Sequence, residues 1–74
     1  MTTESIQILD RLTADDPELR EDLHQFALRS SARHFTQIQA VMISEWASAT
    51  NHWMPEEEMY QHAAAIWRHL RRGG

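Results

Sequence analysis

The amino-acid sequence predicts an all-α fold, a small bundle of three to four helices completed by oligomerisation. Three observations predict it. Apolar residues recur at three- and four-residue spacing in four successive stretches. The prolines and glycines fall only at Pro17, Pro55, Gly73 and Gly74, outside every periodic stretch. Valine occurs once and no Asn-Gly hairpin turn is present, so strands have little support.

The first helix is expected after Thr2 or Thr3, either of which can cap it. Ile6, Leu9 and Leu12 form its stripe. The second has the clearest start. Asp16 is a good N-cap, and Pro17 suits the first helical position because its missing N–H has no partner there in any case. Glu18 and Glu21 complement the positive end of the helix dipole, and Leu19, Leu23 and Phe26 follow in register. At Ser30–Ser31 the hydroxyls compete for backbone hydrogen bonds, so the helix bends, stops or runs on there.

The third helix is expected from about Ala32 to Thr50, with Phe35, Ile38, Met42, Trp46 (or Glu45) and Ala49 as its main stripe. Val41 and Ile43 widen the apolar surface, and the only charges are Arg33 and Glu45. A helix of that kind is central to a bundle or faces a partner. Asn51 is its expected terminator. The fourth helix is expected from Pro55, with Glu56, Glu57 and Glu58 in its first turn and Arg68, Arg71 and Arg72 in its last. That order suits the macrodipole. Met59, Ala63, Ile66 and Leu70 line one face, and Gly73 is placed to close the helix in a left-handed conformation.

The 74 residues make one domain, residues 1–74. A chain of that size buries only about 60% of its unfolded surface. With no cysteine, disulfides and thiolate metal sites are excluded. Help from a partner is therefore expected, the partner being a second copy or another protein. The net charge is −4, concentrated in residues 1–30, and all seven bases are arginine. This acidic balance opposes nucleic-acid binding, although Arg29 and Arg33 are placed to touch phosphates. No apolar run approaches a membrane span, and no basic patch precedes an apolar region after Met1, so a cytoplasmic protein without a membrane partner is expected.

The sequence names no catalytic residue, cofactor or metal site. The serines carry no nucleophile-elbow motif and there is no glycine loop for phosphate. The histidines are His24, His34, His52, His62 and His69, with no pair at the four-residue spacing of a helical zinc site. They are expected at the surface or as caps, with Glu58 and His62 a solvated pair. Glu21 and His24 make one Glu-x-x-His step, which a homodimer would double into an accessory metal site.

Trp46, Trp53, Tyr60 and Trp67 recur every seven residues. Trp and Tyr dominate binding hot spots. These four and Met42 are the expected partner-binding residues, with Tyr60 and Trp67 the leading candidates because they lie beside the Met59–Ile66 stripe. The expected function is a non-catalytic interaction or regulatory module.

Two runs carry a family resemblance. One is Ile8-Leu9-Asp10-Arg11-Leu12 followed by Asp16-Pro17-Glu18-Leu19-Arg20-Glu21. The other is Ile43-Ser44-Glu45-Trp46 followed by Met54-Pro55-Glu56-Glu57-Glu58-Met59, then Gly73-Gly74. The chain resembles the small helical proteins of nitrogenase gene clusters and the related leader segments of ribosomally made peptides. That resemblance implies a second function, a helical leader or substrate held by a modifying enzyme and cleaved at its Gly-Gly. Asn51-His52-Trp53 stands where those proteins have a glycine, and no cargo peptide follows Gly74 in this sequence. The same helix starts also resemble the small helical subunit of ring-opening extradiol dioxygenases, which implies an accessory subunit of a metalloenzyme.

Overall fold

A computed structural model describes residues 3–73 and has four helices: α1 (Thr3–Leu12), α2 (Pro17–Arg29), α3 (Ala32–Ala49) and α4 (Glu56–Arg71). The all-α fold expected from the sequence is the fold observed. Among the described residues no helix is long and apolar enough to cross a membrane. Thr2, an expected cap, lies outside the described residues, as does Gly74 of the terminal Gly-Gly.

Local chemistry accounts for each boundary. The Thr13 hydroxyl donates to the Leu9 carbonyl at 2.9 Å and helps end α1. The Asp16 carboxylate accepts from the Leu19 N–H at 3.0 Å, with Pro17 at the first helical position of α2. Ser30 is extended, and Ser31 caps α3 by accepting from the His34 N–H at 3.2 Å. The serine pair therefore separates two helices. At the end of α3, Asn51 has φ 54°, the His52 N–H donates to the Ala47 carbonyl and the Asn51 N–H to the Ser48 carbonyl. This is a Schellman closure with Asn in the left-handed position. Pro55 is the N-cap of α4, so that helix begins one residue later than expected. At its far end Gly73 has φ 89° and donates to the Leu70 carbonyl at 3.1 Å.

Helix α4 is the hub. It packs against α1, α2 and most extensively α3, while α2 also touches α3. Its inward face is His62, Ala63, Ile66 and Leu70. Around it lie Ile8 and Leu9 of α1, Leu23 and Ala27 of α2, and Phe35 and Ile43 of α3.

Two expected stripes are rotated. In α1 the buried residues are Ser5, Ile8 and Leu9, with Ile6 only half-buried. The helix turns so that Ser5 faces His62 of α4, at 2.8 Å. In α3 the buried face is Phe35, Gln39, Ala40, Ile43 and Ala47. Ile38 is exposed, Ala49 is exposed, and Met42 and Trp46 are half-buried. The physical reason is packing. Small residues on facing helices (Ala40 and Ala47 on α3, Ala63 on α4) permit close approach, whereas a face built from Ile38, Met42 and Trp46 would hold α4 away.

The solvent-accessible area is 4832 Å², against about 4700 Å² expected for a folded monomer of this mass. The chain therefore hides its surface as well as an average monomer does. Among the described residues the exposed large apolar side chains are Leu28, Ile38, Val41, Trp53 and Tyr60.

Candidate functional site

Three of those side chains gather where α3, α4 and the connection between them meet. The Schellman turn at Asn51 redirects the chain, and residues 51–55 run irregularly before α4. Met54 precedes Pro55, a position that disfavours helix and holds the backbone extended. Successive side chains in extended backbone point to opposite sides. Met54 accordingly turns into the core at 4% exposure, while Trp53 stands outward at 84%.

Two adjoining hollows open on this corner. The first, about 480 Å³, lies between Ala47, Ser48, His52 and Trp53. The second, about 450 Å³, lies between Val41, Glu45, Glu56 and Tyr60. Ser44, Met54 and Met59 line both, so together they form one shallow groove with a thioether floor. Methionine gives such a floor adaptability, because its unbranched chain refits to different shapes. The charged residues along the groove are Glu45 and Glu56, and no arginine lines it.

The five expected partner-binding residues divide. Trp53 and Tyr60 flank the groove. Met42 and Trp46 are half-buried against the core, and the Trp46 ring lies 5.9 Å from that of His52. Trp67, two turns beyond Tyr60, fastens the opposite end of the bundle. Its Nε1–H donates to the Ser30 carbonyl at 3.4 Å and its ring sits under the Arg71 guanidinium at 4.9 Å. The structure thus places two of the four aromatics on the groove and the others as packing. Sequence reasoning missed the floor, Met54 and Met59. The Met-Pro step was the available signal for Met54.

The histidine expectation needs one correction. His62 is buried, not part of a solvated pair, because α1 covers it. Its Nδ1 meets the Ser5 hydroxyl at 2.8 Å. Its Nε2 has no hydrogen-bond partner among the described residues and lies 3.6 Å from a Glu58 carboxylate oxygen. Glu4, Glu58 and His62 are the one group of three metal-competent side chains among the described residues, and Glu21 with His24 gathers no third ligand there. Gln39 is the other buried polar exception: neither amide atom meets a partner among the described residues.

No family model, curated protein or solved structure matches this chain.

Proposed function

We propose that this protein is a non-catalytic interaction module that receives a basic, amphipathic segment of another protein in the α3–α4 groove. One observation carries the reading. Val41 at 58%, Trp53 at 84% and Tyr60 at 38% exposure line hollows that share a methionine floor, while the other exposed large apolar side chains among the described residues, Leu28 and Ile38, stand apart from it. Contiguous apolar exposure rimmed by polar groups is how docking sites differ from ordinary surface. Trp and Tyr are the side chains that concentrate binding energy.

Charge selects the occupant. Glu45 and Glu56 border the groove, and Glu57 and Glu58 continue the first turn of α4. Two copies meeting through this face would bring acids against acids, which complementarity disfavours. A segment with apolar anchors three and four residues apart and Arg or Lys beside them fits both features.

Size-exclusion chromatography with light scattering at tens of micromolar is expected to give a monomer, and a stable dimer would point to self-pairing instead. Affinity is measured by fluorescence anisotropy with a labelled 16-residue Leu/Lys amphipathic peptide, alongside its Leu/Glu counterpart. The basic peptide is expected to bind, and the acidic one not to bind. Trp53→Ala and Tyr60→Ser, which leave the charge unchanged, are each expected to weaken binding by about tenfold or more. Equal affinity in wild type and both variants would reduce the interaction to bulk charge and sink the proposal.

A further inference from the structure

We propose that Glu4, Glu58 and His62 form a binding site for a divalent transition-metal ion of the zinc type, which fastens the first turn of α1 onto α4. Their potential ligand atoms all lie within 4.8 Å of one another. Glu58 and His62 stand one helical turn apart on α4, and Glu4 comes from the neighbouring helix. The sequence brings together what no local motif announces.

The decisive observation is the imidazole. The His62 side chain is only 7% exposed, yet Nε2 meets no hydrogen-bond donor or acceptor among the described residues. A buried polar atom left in that state is costly and calls for an explanation. The other ring nitrogen is held by the Ser5 hydroxyl at 2.8 Å. With the proton on Nδ1, donated to Ser5 Oγ, Nε2 turns a lone pair toward the Glu58 carboxylate oxygen 3.6 Å away. A lone pair facing an anion is repulsive until a cation sits between them. Metal-binding histidines are set up in this way, with the second ring nitrogen tied to a neighbouring polar group that fixes tautomer and orientation.

The spacing fits an ion better than a direct hydrogen bond. Charge-assisted N–H···O contacts close to about 2.7–2.9 Å. The Nε2–Oε1 separation here is 3.6 Å. Two ligands on a tetrahedral zinc, each about 2.0–2.2 Å from it, stand roughly 3.4 Å apart. Glu58 is partly exposed and Glu4 exposed, so their carboxylates are able to swing onto the ion without disturbing the core. One imidazole and two carboxylates suit Zn2+ or its first-row neighbours and disfavour Mg2+ and Ca2+, which take oxygen ligands. Three protein ligands leave a coordination position for water.

The test uses the full chain stripped with chelator, then titrated with Zn2+ or Mg2+ by calorimetry and thermal unfolding. Zn2+ is expected to bind one to one and, at a hundredfold excess over Kd, to raise Tm by about 11–22 °C, with Mg2+ inert. Glu4→Gln and Glu58→Gln keep side-chain size at positions outside the core, and each is expected to weaken Zn2+ binding by about tenfold or more. Nitrogen NMR of the imidazoles is expected to move the His62 Nε2 signal on adding Zn2+, with Nδ1 remaining protonated. Three results would overturn the site: no binding at millimolar Zn2+, equal binding in wild type and both Gln variants, or perturbation of His24, His34, His52 or His69 in place of His62. If His62 and Glu58 are only an ion pair, Glu58→Gln lowers Tm while Zn2+ leaves it unmoved, which also overturns the proposal.

Discussion

The two ends of this bundle use the same residue types to opposite effect. At the Ser30 end, the rings of Phe26 and Phe35 lie 5.2 Å apart, His34 meets Phe26 edge-on, and Trp67 is pinned to the Ser30 carbonyl. Arg71 completes that end by covering the Trp67 ring and donating to the Ala27 carbonyl at 3.1 Å. At the Asn51 end, Trp53 and Tyr60 stand around an open groove. Sequence position explains the difference. The Ser30 link is two residues long, so α2 and α3 leave it already in contact and their aromatics meet. The Asn51 connection is longer, and it carries its indole away from the core. Where aromatics close on one another they support the fold, and where they are held apart they are left for a partner.

That contrast breaks most sharply on truncation. Phe35→Ala is expected to destabilise the protein by about 3–5 kcal/mol, much of what a chain this size possesses, and denaturant unfolding followed by circular dichroism reads it. Trp53→Ala removes a larger side chain, yet is expected to shift stability by no more than about 0.5 kcal/mol in the same assay. Comparable losses would mean that Trp53 is packed after all.

Gln39 sharpens the comparison from the opposite direction. It is fully buried, and neither amide atom has a partner among the described residues. Gln39→Met keeps the length and removes the unsatisfied groups. It is expected to stabilise by about 1–2 kcal/mol, raising Tm by roughly 4–16 °C. A fall in Tm would show that the amide has a role in the folded state. Smaller still is the cap. Asp16→Ala is expected to lose about 1 kcal/mol, because the Leu19 N–H loses its acceptor, and a Tm measurement decides it.

The helices were legible in the sequence because their ends are local. Asp16-Pro17, Asn51 and Gly73 each act through a hydrogen bond or a backbone conformation within a few residues. The face of α3 was not legible, because Ile38, Val41, Met42, Ile43 and Trp46 spread apolar character over more than one side. Packing against α4 buries Ile43, and Ala40 and Ala47 lie on the same buried face. His62 shows the same limit. Its neighbour Glu58 is visible four residues away, but Ser5, which buries and orients it, comes from 57 residues distant. Two of the five expected partner residues border the groove, since heptad spacing records recurrence and not which side chain the chain turns outward.

The central claim is that the α3–α4 corner is the docking face while the Ser30 end is closed. A 15N–1H correlation spectrum, recorded during titration with the Leu/Lys peptide, tests it residue by residue. The account predicts shifts concentrated at the Trp53 indole, Val41, Ser44 and Met59, with the Trp67 indole and Phe35 unmoved. Shifts centred on Trp67, or spread evenly along the acidic N-terminal third, would contradict it.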